Sequence, residues 1–210
     1  MSREQPRSVL PPGRYSAVVG IVFAAVVLFA LFNTLTSRDS GTLGLGGEEI
    51  GSQLAEFAVP AVGGDLEGDA NVDPEQACEI DPEGAIRICD FFDRPLVISF
   101  WFTRGGDCEA QQDVVSDVSE RFAGRVGFLS INVRDDRERV REMARERRWR
   151  MPLGHDRDGA VSNLYRVGGC PTYVYATPGG RLHAAVIGEL DAAEQVAQVR
   201  DLLTASAAKD

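Results

Sequence analysis

From about residue 56 onward, short apolar runs alternate with amphipathic stretches, a pattern that predicts one α/β domain. The run PLVISFWF at 95–102 is almost continuously apolar, of strand length, and rich in aromatic and β-branched side chains. It predicts a central strand covered on both faces. Over 108–122, Val114, Val115, Val118 and Phe122 recur at helical spacing, with Glu109, Asp113 and Asp117 left for the wet side, and Gly124 closes that helix. Residues 126–133 predict the next strand. The segment 135–149 opens with acids and ends in Arg145, Arg147 and Arg148, matching a helix dipole. Because Val140, Met143 and Ala144 share one side of it, its basic end reads as a solvated helix face instead of a binding patch. Strand-like runs at 172–176 and 182–187 are joined by Thr177-Pro178-Gly179-Gly180, a hairpin signal, and 191–203 supplies a last helix. The predicted order is strand, helix, strand, helix, antiparallel hairpin, helix.

Ahead of this domain the pattern changes. Residues 17–32 are apolar apart from Gly20, and no charge falls between Arg14 and Arg38. As a helix, 15–37 would rise about 34 Å, enough for a hydrocarbon core of roughly 30 Å. Arg3, Arg7 and Arg14 outweigh Glu4 on the near side, so the positive-inside bias keeps residues 1–14 cytoplasmic and sends the bulk of the chain across. A cleaved signal peptide is the competing reading, but Asn33-Thr34-Leu35-Thr36 offers no Ala-x-Ala site. A helix buried in a soluble core would normally show a polar stripe, and none is present. Residues 38–53 hold Gly41, Gly44, Gly46, Gly47 and Gly51 without periodicity, which reads as a tether. The domain is expected over 54–206, with a tail at 207–210.

Of the 210 residues, 44% are hydrophobic and 26% charged, a globular mix. The net charge of −10 removes any electrostatic basis for sequence-independent nucleic-acid binding. All four cysteines, Cys78, Cys89, Cys108 and Cys170, follow the apolar segment, where an oxidising compartment permits disulfides, and four cysteines allow three pairings. Asp81-Pro82-Glu83-Gly84 is a turn signal inside EIDPEGAIRI, so a hairpin would set Cys78 opposite Cys89 as a structural bridge worth about 3 kcal/mol in the chain-entropy model. His155 and His183 lack ligand spacing to each other or to a cysteine, so no metal site is expected and both read as surface histidines. Gly105-Gly106 and Gly168-Gly169 complete no phosphate-binding pattern and read as tight turns.

Two stretches carry a resemblance. FWFTRGGDC at 100–108 is similar to the strand-to-helix FWATWCGPC motif of the extracytoplasmic thioredoxins, the TlpA-like branch of the redoxin superfamily. DRDGAVSNLYRVGGCPTYVYATPGGRL at 156–182 resembles that branch's DxDGxxAxxYGVxGxPTTFLIDxxGRI segment. Together the match covers roughly residues 53–206. It implies a thioredoxin-like fold, a central mixed β-sheet flanked by helices, here preceded by one transmembrane helix. It also implies thiol–disulfide exchange with extracytoplasmic protein thiols or disulfides, without a bound cofactor.

In such proteins two cysteines at a helix N-terminus trade electrons with a substrate disulfide, the helix end stabilising the attacking thiolate. Alignment on Phe100-Trp101 puts Gly105 at the attacking position and Cys108 at the resolving one, so half the pair is gone. Cys170 is the substitute the resemblance implies: it precedes Pro171, which matches the family's cis-proline, in a loop facing the helix tip. The expected cycle has Cys108 attacking and Cys170 resolving, with Pro171, Trp101 and Arg104 as substrate-binding residues. Asp107 opposes thiolate formation, Arg104 favours it, and Ser99 stands where many thioredoxins keep a buried proton-relay acid. A Cys108–Cys170 bond would also stabilise the domain by about 4 kcal/mol, so an inert staple is an equal alternative. A peroxiredoxin-like peroxidase lacks its Pro-x-x-x-Thr-x-x-Cys pattern here. A non-catalytic scaffold that binds an envelope protein through the cis-proline groove is the third class.

Overall fold

The apolar run after Pro95 becomes β3, Leu96–Trp101, the middle strand of the main sheet, with all six residues buried. The computed structural model describes residues 49–104 and 106–208, together with 21–23, 25 and 27. By contacts the chain divides into Met1–Asp39 and Ser40–Asp210. In the first unit the five described residues are helical and exposed. The remainder of the 15–37 segment, the 1–14 tail and most of the tether lie outside the described residues. Among the described residues no helix is long and apolar enough to cross a membrane.

In the second unit β1 is Ala58–Pro60, β2 is Ala85–Arg87, and a 3-10 turn covers Ile88–Phe91. After β3 come α1, Cys108–Arg121, then β4, Gly127–Val133, and α2, Arg137–Arg147. β5 is Leu153–Asp156, α3 is Ala160–Leu164, β6 is Thr172–Thr177, β7 is Arg181–Ile187, and α4 is Ala192–Ala207. The five-stranded sheet has the order β5-β4-β3-β6-β7. β3, β4 and β5 run parallel, and β6 and β7 are antiparallel. This is the mixed central sheet that the resemblance implies.

Strand alternation splits β3 between two cores. Val97 and Trp101 face the layer built by Cys108, Val115, Val118 and Phe122 of the α1 segment with Val140, Val199 and Leu202. Leu96, Ile98 and Phe100 face Phe57, Val59, Ile88, Val161 and Tyr165. Helix ends follow their local chemistry. Asp136 accepts a bond from Arg139 N at 2.9 Å, Arg148 closes α2 in the left-handed region, and Asp191 with Glu194 forms a full capping box on α4.

Four short elements, β1, β2, β5 and α3, are absent from the sequence prediction. The hairpin expected at 81–84 does not form either. β2 instead pairs antiparallel with β1, Val59 opposite Ile86, and Cys78 sits in a turn. Residues 51–53, which the sequence assigns to the tether, are hydrogen-bonded or adjacent to the sheet together with Leu54. Gly51 N and Leu54 N donate to the carbonyls of Leu182 and Gly180, and Leu182 N donates to Ser52, so these residues extend the β7 edge. His155 is a further correction: it is 4% exposed, with Nε2 2.9 Å from the Asp135 carbonyl. It lies in β5, an edge strand of the sheet whose four residues are nevertheless all buried, and this placement overrides its polarity. His183 is partly exposed and meets Asp201 at 2.7 Å.

Candidate functional site: a disulfide at the tip of α1

The antiparallel register of β3 with β6 sets Phe100 opposite Thr172. The chain leaving β3 and the chain entering β6 therefore occupy the same end of the sheet. Seven residues on from Trp101 the chain turns into α1 at Cys108, and two residues before β6 stands Cys170 with a cis bond to Pro171. The two cysteines, 62 apart in sequence, are joined in a disulfide with a Cα–Cα distance of 6.1 Å, a separation ordinary for such bonds. Cys78 and Cys89 form the other disulfide, also with Cα atoms 6.1 Å apart, and Arg87 donates to the Cys78 carbonyl beside it. Among the described residues no cysteine is free.

The two cysteines of the site differ in exposure. Cys108 is 1% exposed and belongs to the core, whereas Cys170 is only partly buried. A Cβ placed on Gly106 would stand 3.6 Å from the Cys108 sulfur, so the loop before α1 passes close to it. Gly105, which by the resemblance stands where the family keeps its attacking cysteine, lies outside the described residues. The carbonyl oxygen of Phe102 is 3.9 Å from the Cys170 sulfur. In this oxidised form Cys108 is the covered partner, which runs against the order expected from the sequence, in which Cys108 attacks.

Trp101 needs the same correction as a substrate contact. It is wholly buried, donates from Nε1 to Ser130 Oγ at 2.9 Å, and meets Trp149 edge-on at 5.2 Å between ring centroids. Beneath α1 the Ser130 hydroxyl donates to Gln112 Oε1 at 2.8 Å, and Ser99 donates to the same oxygen at 3.1 Å. Gln112 is one helical turn after Cys108. Pro171 is buried too, its carbonyl accepting from Gly188 N at 2.9 Å, so the surface of this loop is supplied by Gly168, Gly169 and Cys170.

Arg104 remains exposed, and its direction is fixed. Its Nη2 donates to the Arg134 carbonyl at 2.8 Å, and Nε lies 3.7 Å from Asp135. Asp135 is a hub that sequence reasoning missed, having counted it only among the acids before α2. Its carboxylate accepts from Thr103 N at 2.7 Å, Thr103 Oγ1 at 2.8 Å and Asn132 Nδ2 at 2.8 Å. The peptide between Phe102 and Thr103 is thus gripped by Asp135 at its N–H while its carbonyl faces Cys170. At the N-cap of α1, Asp107 makes no side-chain capping bond. Its carboxylate therefore does not occupy the first-turn N–H groups, which remain able to stabilise negative charge on Cys108. Nearby, burial pushes the Asp156 carboxyl up from its ordinary value despite bonds from Val161 N and Ser162 N, and burial likewise raises the Tyr173 hydroxyl.

No protein-family model matches the chain. It is 25% identical over 113 residues to the thiol-disulfide oxidoreductase ResA of Oceanobacillus iheyensis, a match covering 53% of this chain and 58% of that protein. The chain thus spans less than two thirds of this curated relative. Among solved structures, a thiol:disulfide interchange protein of the thioredoxin family from Chlorobium tepidum superposes with a TM-score of 0.59 at 13% identity. The match covers 74% of this chain and 99% of that one. A DsbF homologue from Corynebacterium diphtheriae gives 0.58 at 14% identity, covering 71% and 86%. These likenesses establish the thioredoxin-like fold.

Proposed function

We propose, from the premise that this chain belongs to the TlpA-like thioredoxin-fold redoxins, that it is a thiol–disulfide oxidoreductase whose working couple is Cys108–Cys170. The observation that carries the reading is the position of that bond: at the N-terminus of α1, beside the cis-proline loop, with one cysteine buried and the other partly exposed. A reducible bond there takes up two electrons from a protein dithiol and returns them to a partner disulfide, with no bound cofactor. Arg104 and the backbone beside Pro171 would receive the partner chain. Cys78–Cys89 would serve as a structural bridge.

The same reading places the domain outside the membrane. Residues 15–37 would form a single-pass anchor, 1–14 a cytoplasmic tail, and the glycine-rich stretch from 38 a tether. Protease added to intact cells should then remove the domain and spare the tail.

The decisive measurement is the reduction potential of Cys108–Cys170. A value above about −300 mV marks a working couple, and a lower one marks a structural bond. Cys108→Ser should abolish turnover of a disulfide substrate, and unchanged turnover would overturn the proposal. The second reading, an anchored binding module with an inert bond, is favoured by the 1% exposure of Cys108. It predicts that the bond resists glutathione.

A further inference from the structure

We infer that Cys170, and not Cys108, is the sulfur that becomes bonded to the partner, and that Cys108 is the internal leaving group. This rests on the reading of the two as the working couple. Thiol–disulfide exchange is an in-line displacement: the incoming sulfur approaches from the side opposite the bond that breaks. Cys108 is 1% exposed and sits in the same buried cluster as Val115 and Val118, which leaves no open side for attack on its sulfur. Attack on Cys170 comes from the side away from Cys108. Cys170 is partly exposed, and its preceding neighbours Gly168 and Gly169 carry no side chain to block the approach.

The electron count follows directly. A substrate thiolate attacks the Cys170 sulfur, forming a substrate–Cys170 bond, while the Cys108–Cys170 bond breaks and its electron pair stays on Cys108 as thiolate. The N-terminus of α1 holds that charge, since Asp107 leaves the first-turn N–H groups unoccupied by its side chain. A second substrate thiolate then attacks the substrate sulfur of the mixed disulfide. This completes a substrate disulfide and releases Cys170, which takes up a proton. The Phe102 carbonyl, 3.9 Å from the Cys170 sulfur and fixed through the Thr103 N–H to Asp135, is placed to accept that S–H. The substrate is oxidised by two electrons and the pair reduced by two. The reverse reaction uses the same two sulfurs in the opposite order.

The attacking position of the CxxC pattern, Gly105 here, has therefore moved from the helix tip to the loop before Pro171. The partner would dock on 168–171. The test is glutathione added to the oxidised full-length wild-type protein, with an acid quench and peptide mapping of the adduct. The expected result is glutathione on Cys170, in at least tenfold excess over Cys108. A predominant adduct on Cys108 overturns this assignment while leaving the couple intact, and no adduct on either sulfur overturns both. Single-thiol variants supply a second measurement. Under native conditions Cys108→Ser should react with an aromatic disulfide at least tenfold faster than Cys170→Ser, and equal or reversed rates would refute the inference.

Discussion

Asp156 shows how a single side chain can couple this fold to pH. Its carboxylate caps α3 through Val161 N and Ser162 N, yet burial raises its pKa above the ordinary carboxylate value. The folded state therefore binds the proton more tightly than the unfolded chain does. It follows that the contribution of Asp156 to stability is greatest below the ordinary carboxylate range and falls as pH rises toward the raised value. Denaturant midpoints measured across that interval should decline in the wild type, and Asp156→Asn should flatten the slope. A wild-type slope of opposite sign would refute this assignment. Little of this was legible in the sequence, because Asp156 lies in a stretch that looks like a polar loop. The same holds for Ser130 and Gln112, while Ser99 is marked only by the resemblance, as the place of a buried acid. Ser99 and Ser130 are polar letters inside apolar runs, and only the sheet register that sets one against the other brings both to the Gln112 side chain of α1.

At the scale of elements, legibility follows length. β3, β4, α1, α2 and α4 are long enough for period 2 or 3.6 to show, and residues 95–102 and 108–122 predicted the central strand and its helix to within two residues. β1 and β2 have three residues each, too few for any period. The turn signal at Asp81-Pro82-Glu83-Gly84 is present, but β2 finds its partner in β1, more than twenty residues earlier, so local chemistry predicted the wrong pairing. β5 reads LGHD, and its polar residues are buried because His155 and Asp156 find partners inside. Its glycine is required by proximity. A Cβ on Gly154 would stand 2.9 Å from Ile131 Cδ1 and closer still to Val59, where the β1 segment crosses β5. Gly154→Ala should therefore cost about 1–3 kcal/mol by overpacking. Urea denaturation checks it, and a neutral result would mean that β1 can lift away.

For the whole molecule, the pairing of Cys108 with Cys170 matters through the length of chain it closes. The resemblance to the TlpA-like thioredoxins made this pairing legible, while the sequence alone left three pairings open and could not reveal which sulfur is covered. A CxxC pair spans four residues, whereas this bond spans a sequence separation of 62. Closing so long a loop stabilises the folded state by about 4 kcal/mol in the chain-entropy model, against about 3 kcal/mol for Cys78–Cys89. Thermal unfolding of the protein with only Cys108–Cys170 reduced should fall well below that of the fully oxidised form. Coincident transitions would show that the unfolded chain gains no freedom on opening.

The long loop also bears on survival. Proteolysis tracks the population of opened chains, so molecules left reduced would be digested ahead of oxidised ones. The abundance of the protein would then follow the local supply of electron acceptors, with no change in the rate of its synthesis.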